Sequence, residues 1–219
     1  MIKLLAAFSK TAPACCALLM LSLLLAGCGG GSGNSGLPPA EILASITVTP
    51  TGKKVAPSSP VQFTAIGRYL DGSEKDVTGL VTWGSSDSNL ATISNAVGAK
   101  GVAMAVTPGD VNITATLGTI TGVAAFTPTA LNSLTVTPAV TTMAVLDPLY
   151  QFTATGALAD GSSQDLTNLA AWSSSDNTVA FISPTMGAVY ATKAGAATIK
   201  AVFFNMSATA AVTVLDAPI

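Results

Sequence analysis

The 219-residue chain predicts an all-β protein: two tandem antiparallel β-sandwiches that follow a removable leader and a flexible spacer. Three observations lead there. Short motifs recur in one order at a nearly constant offset. Apolar residues alternate with polar ones at the period of strands, not helices. Turn signals rich in Gly and Asp separate the alternating runs.

The recurrence comes first. Ser45–Pro50 (SITVTP) returns as Ser133–Pro138 (SLTVTP), and Gln62–Ala65 (QFTA) as Gln151–Ala154. Asp71–Ser73 (DGS) returns as Asp160–Ser162, and Trp83–Asp87 (WGSSD) as Trp172–Asp176 (WSSSD). The offset is 88 at the first pair, 89 at the last, and 86 between Gly109 and Gly195. The second copy is therefore shorter by three residues somewhere between Ser94 and Gly109, which reads as a loop change. The domains fall at 41–128 and 132–216, with about five residues, Pro128 to Asn132, joining them; a junction that short limits swing.

Each copy opens on a strand in which Ile46 and Val48, or Leu134 and Val136, alternate with Thr; β-branched residues suit a half-buried pleat. The run from Val61 to Tyr69 reads as a single strand with Val61, Phe63, Ala65, Gly67 and Tyr69 on one face, matched by Tyr150, Phe152, Ala154, Gly156 and Leu158. Asp71-Gly72 and Asp160-Gly161 accept positive φ cheaply and mark hairpin tips. Asp87 and Asp176 close the next turns through side-chain bonds to backbone. Gly109 and Gly195 precede a further strand, and no helix longer than two turns is expected. Phe63, Trp83, Phe152 and Trp172 are the expected core, because an aromatic on a strand beside apolar positions buries a large area.

Residues 1–27 form the leader: Lys3 and Lys10 precede an apolar run from Ala14 to Ala26 that ends in small residues. The run is shorter than the roughly 20 residues a membrane span takes, which disfavours a retained helix. Leu25-Ala26-Gly27-Cys28 resembles the lipobox of bacterial lipoproteins. That resemblance implies cleavage between Gly27 and Cys28, a diacylglyceryl group on the Cys28 sulfur and an acylated new amino terminus. The bilayer, reached through acylated Cys28, is then the first expected partner. Gly29 stands where an aspartate would mark inner-membrane retention in such proteins, so the expected address is the cell envelope, at the outer membrane or cell surface. Residues 28–40 carry the lipidated cysteine and a Gly/Ser/Pro linker, whose stretch from Gly29 to Pro39 has a mean reach of roughly 18 Å.

Composition narrows the chemistry. The chain has no His, and of its three cysteines Cys15 and Cys16 leave with the leader while Cys28 is capped, so no disulfide, Ser-His-Asp triad, Cys-His pair or usual zinc set can form. The formal charge of −2 becomes −4 once Lys3 and Lys10 are removed, a balance that gives nucleic acid no electrostatic footprint. Asp71, Glu74 and Asp76 are the best acidic cluster, yet copy two has Ser163 in place of Glu74 and neither copy has calcium-loop spacing. The expectation is a solvated hairpin, with no metal, no cofactor and no catalytic residue. Lys53-Lys54 reads as a solvated loop pair. Asn112-Ile113-Thr114 and Asn205-Met206-Ser207 fit the glycan acceptor pattern by coincidence in a chain with a bacterial lipobox.

The ordered motifs S-I-T-V-T-P, Q-F-T-A, D-G-S before D-V-T, W-G-S-S-D, A-T-I-S and G-D-V-N-I-T-A, with their second set, resemble the bacterial immunoglobulin-like domain, group 2, found in intimin and invasin-type adhesins. The resemblance implies immunoglobulin-like sandwiches, no common catalytic residues, and a role in adhesion, binding or spacing, with a protein or glycan as ligand. The alternative is a structural subunit docked to a larger envelope assembly; an enzyme is the weakest reading.

Overall fold

The computed structural model describes residues 42–145 and 148–216, so Gly27, Cys28, the leader and the glycine-rich spacer lie outside the described residues. Every regular element within them is a strand.

Copy one contains β1 (Leu43–Thr49), β2 (Lys53–Val55), β3 (Pro60–Gln62), β4 (Thr64–Tyr69), β5 (Glu74–Asp76), β6 (Thr82–Ser85), β7 (Ala91–Ile93), β8 (Val102–Ala105), β9 (Val111–Leu117) and β10 (Ile120–Pro128). They form the sheets β1-β4-β5, β3-β8-β7 and β2-β10-β9-β6. Copy two repeats this with β11 (Leu131–Thr137), β12 (Val140–Ala144), β13 (Tyr150–Gln151), β14 (Thr153–Leu158), β15 (Ser163–Asp165), β16 (Ala171–Ser174), β17 (Ala180–Ile182), β18 (Ala188–Ala191), β19 (Gly195–Phe203) and β20 (Met206–Leu215). The corresponding sheets are β11-β14-β15, β13-β18-β17 and β12-β20-β19-β16. All pairings are antiparallel except one edge pair per copy, where β2 runs parallel to β10 and β12 parallel to β20.

The alternation in sequence sets which side chains face inward. On β1, Ile46 and Val48 are buried opposite Gly67 and Ala65, while Thr47 and Thr49 face out. Side chains from all three sheets of copy one meet in one core. Both SxTVTP motifs end in a cis peptide bond before proline, at Thr49-Pro50 and Thr137-Pro138.

The run from Val61 to Tyr69 is two strands, not one. Its inward face is as expected, but the backbone changes sheets at Phe63, whose N–H donates to the Gly101 carbonyl at 2.7 Å instead of joining either ladder. Phe152 does the same to Gly187 at 2.9 Å. Both phenylalanines are fully buried at this crossing, and Phe63 meets Phe126 edge to face at 5.5 Å. Trp83 and Trp172 are buried beside them, 3% and 5% exposed.

Gly101 and Gly187 explain themselves here. Their φ values are +78° and +65°, and a Cβ on Gly187 would stand 2.5 Å from the Phe152 oxygen and 3.0 Å from the Trp172 ring. Only glycine meets both the left-handed backbone and the close approach. The three-residue deletion lies in this loop, since Ile93 matches Ile182 while Gly101 matches Gly187. In the longer copy Asn95 fills the gap: its carboxamide accepts from Trp83 N–H and donates to the Trp83 carbonyl, both at 2.8 Å. In the shorter copy the Pro184 carbonyl accepts from Trp172 N–H at 2.9 Å.

Replacing Trp83 by Ala is expected to cost copy one about 3–5 kcal/mol, read by denaturant unfolding. Gly187→Ala is expected to cost copy two at least ~1 kcal/mol. Unchanged unfolding midpoints would refute both assignments.

Candidate functional site

Polar groups that bond within and between the copies converge on one hairpin of copy two, β14 to β15. At its tip, the Asp160 carboxylate accepts from the Ser162 N–H at 3.0 Å and the Ser162 hydroxyl at 2.6 Å, and its other oxygen lies 3.0 Å from Lys54 Nζ of copy one. Ser162, then Lys54, hold the Asp160 carboxyl far below the usual carboxylate range. Gly161 carries the turn at φ +85°, as Gly72 does in copy one.

Further along the hairpin, Gln164 crosses between the copies. Its Oε1 accepts from Ala56 N–H at 2.8 Å and its Nε2 donates to Ser59 Oγ at 3.0 Å. Ala56 and Ser59 are wholly buried, so both polar groups need protein partners. The tight turn that presents them has Ser58 at φ +64° and a Ser59 N–H bond back to the Ala56 carbonyl. The side chain of Ala56 packs into the apolar core of copy two. Only Thr129 and Ala130 separate β10 from β11, and Thr129 N–H donates to Val55 at 2.8 Å.

The next residue, Asp165, stays exposed but braces the core behind it. Asp165 accepts from Thr167 N–H at 2.8 Å; Thr167 Oγ1 accepts from Ala154 N–H at 3.0 Å; Trp172 Nε1 donates to the Thr167 carbonyl at 2.9 Å. Copy one has the same brace in Asp76, Thr78, Ala65 and Trp83, at 2.8, 2.9 and 3.1 Å. Bonds from Thr78 and Thr167 keep the Asp76 and Asp165 carboxyls below the ordinary range.

A groove of about 570 Å³ opens where the copies meet, lined by Lys53, Lys54, Gln62, Ser163, Gln164 and Asp165 among others. It offers ammonium, carboxamide and carboxylate groups, most already bonded within the protein. Among the described residues no three His, Cys, Asp or Glu side chains converge to hold a metal ion.

The sequence-selected residues separate accordingly. Asp71 and Asp76 each serve their own turns, through Ser73 N–H and Thr78 N–H, while Glu74 pairs with Arg68 in the hairpin ladder. Lys53 and Lys54 are not in a loop: they form β2, and Lys54 pairs with Asp160. A three-residue strand paired parallel to a distant partner leaves no local periodicity to read. Asn112 lies on β9 and Asn205 in the turn between β19 and β20. Gln164 escaped sequence reasoning; its one signal is that copy one has Lys75 at the equivalent place.

A family model described as Bacterial Ig-like domain (group 2) matches residues 42–127 and 130–214. Ice-binding protein 1 of Shewanella frigidimarina is 36% identical over 177 residues, which is 75% of this chain and 19% of that protein; the chain thus spans about a fifth of this relative. Among solved structures, domains 5-6 of the S-layer protein SbsC align over 81% of this chain and 100% of that one, with 20% identity and a TM-score of 0.40. The C-terminal 282-residue fragment of intimin, in complex with the intimin-binding domain of the translocated intimin receptor, aligns over 78% and 63%, with 17% identity and a TM-score of 0.31.

The depressed carboxyls set an acid limit. A carboxyl whose pKa is lowered on folding stabilises the fold above its unfolded value of about 3.9 and loses that contribution as pH falls through the lower folded value. The thermal midpoint is therefore expected to hold from pH 7 to about pH 5 and to drop below about pH 4. Replacing Asp76 and Asp165 together by Asn is expected to lower the midpoint at pH 7 and to flatten the acid fall. A midpoint that rises on acidification would contradict the assignment.

Proposed function

For a chain that belongs to the bacterial Ig-like domain (group 2) family over both of its repeats, we propose the role of a non-enzymatic stand-off module of the cell envelope, held to a bilayer by acylated Cys28. Domains of this family are typically non-catalytic surface modules. The observation that carries the reading is the joint: Gln164, Ala56 and Ser59 hydrogen-bond the copies end to end, which suits a spacer better than a string of loose beads. Each copy adds length; a nine-residue strand such as β10 spans about 30 Å.

The anchor side of the proposal rests on the lipobox-like Leu25-Ala26-Gly27-Cys28 and on the Gly/Ser/Pro linker after it. Two or more acyl chains give stable membrane attachment where one gives only marginal binding. The name of the Shewanella relative attaches ice binding to a protein far longer than this stretch, and the stand-off reading assigns these two domains its spacing part, not its contact with ice.

Two measurements check this. Mass spectrometry of the mature amino terminus is expected to find Cys28 first and carrying acyl chains, and Cys28→Ser is expected to release the protein from membranes; an unmodified thiol would refute the anchor. Thermal hysteresis of the purified chain is expected to match that of an unrelated protein at equal concentration. A measurable hysteresis gap would move the function onto the domains themselves.

A further inference from the structure

Two copies of one fold allow equivalent positions to be compared. Gln164 and Lys75 occupy the same place: each pairs with a glycine of the preceding strand, Gly156 or Gly67, and each stands one residue before the aspartate of the tryptophan brace. The lysine lies with its ammonium 5.5 Å from the Tyr69 ring, on its own copy. The glutamine reaches across to the other.

The chemistry of the receiving turn separates the two side chains. Ala56 offers a buried N–H that needs an acceptor, and Ser59, equally buried, offers a hydroxyl oxygen that takes a donor. A carboxamide presents one oxygen and one NH₂ on a single carbon and meets both demands at once; an ammonium has donors only. The ion pair across the joint, Lys54 with Asp160, is half exposed on the lysine side, and such pairs contribute little by themselves.

We infer that Gln164 is the positioning residue of the tandem, the side chain that fixes the angle between the two domains, and that the short link through Thr129 and Ala130 does not suffice to fix it. The inference deepens the stand-off reading yet holds whether or not Cys28 carries lipid.

The test is a distance distribution between spin labels on Cys residues replacing exposed Thr92 and Thr209, one per copy, measured on the full mature chain by pulsed electron paramagnetic resonance. The native joint is expected to give one narrow peak. Gln164→Lys, which installs the residue of copy one, is expected to broaden it at least twofold. Gln164→Glu keeps an acceptor for the Ala56 N–H and accepts from the Ser59 hydroxyl, which rotates to donate, so it is expected to stay narrow, as is Lys54→Ala. Ser59→Ala, made on the other copy, is expected to broaden the peak without touching β15 and so guards against a variant that merely disturbs its own strand. Thermal unfolding confirms in each case that both domains remain folded. A Gln164→Lys peak as narrow as the native one would assign the angle to the linker and overturn the inference; so would broadening by Lys54→Ala equal to that by Gln164→Lys, which would make the ion pair the lock.

Discussion

Each repeat hangs on one contact at the edge of its core, the indole N–H of its tryptophan donating to a threonine carbonyl, Trp83 to Thr78 and Trp172 to Thr167. A tryptophan gives a core much apolar area but brings a donor that must be met. Here the threonine meets it and is itself fixed twice, by an aspartate at its N–H and by a backbone N–H at its hydroxyl. The D-V-T and D-L-T motifs are the sequence form of that brace. It lets a sandwich without a disulfide hold a large aromatic in one orientation, and it ties the β4–β5 or β14–β15 hairpin to the core behind it.

In copy two that same hairpin leads outward. Asp165 holds Thr167, which meets the tryptophan, while Gln164 reaches copy one and Asp160 at the tip meets Lys54. The joint is therefore an extension of the core and not an independent patch: the strand that holds Gln164 is the strand whose next residue is locked to the brace. Ala56 completes the connection, since its side chain belongs to the apolar core of the domain that follows it.

Much of this was legible in the amino-acid sequence, and the limits of that legibility are physical. Motif recurrence gave the two copies, and alternation gave the inward faces, because both signals are local in the chain. The change of sheet at Phe63 was hidden, since the run Val61–Tyr69 keeps one face inward throughout and the break appears only as a backbone bond to Gly101, far along the chain. β2 was hidden for a similar reason: its partner β10 is distant, and three residues carry no period. Gln164 was the hardest to see, because its partners lie 108 and 105 residues away and nothing beside it in the chain marks it. The comparison of equivalent positions in the two copies, Lys75 against Gln164, was the available clue.

If Gln164 fixes the joint, the two braced sandwiches form a single stiff unit. Residual dipolar couplings measured on the folded tandem in a dilute aligning medium test this most directly. If the account is right, the amides of both copies fit one alignment tensor. Two tensors of different magnitude, one for each copy, would show domains that reorient independently and would contradict it.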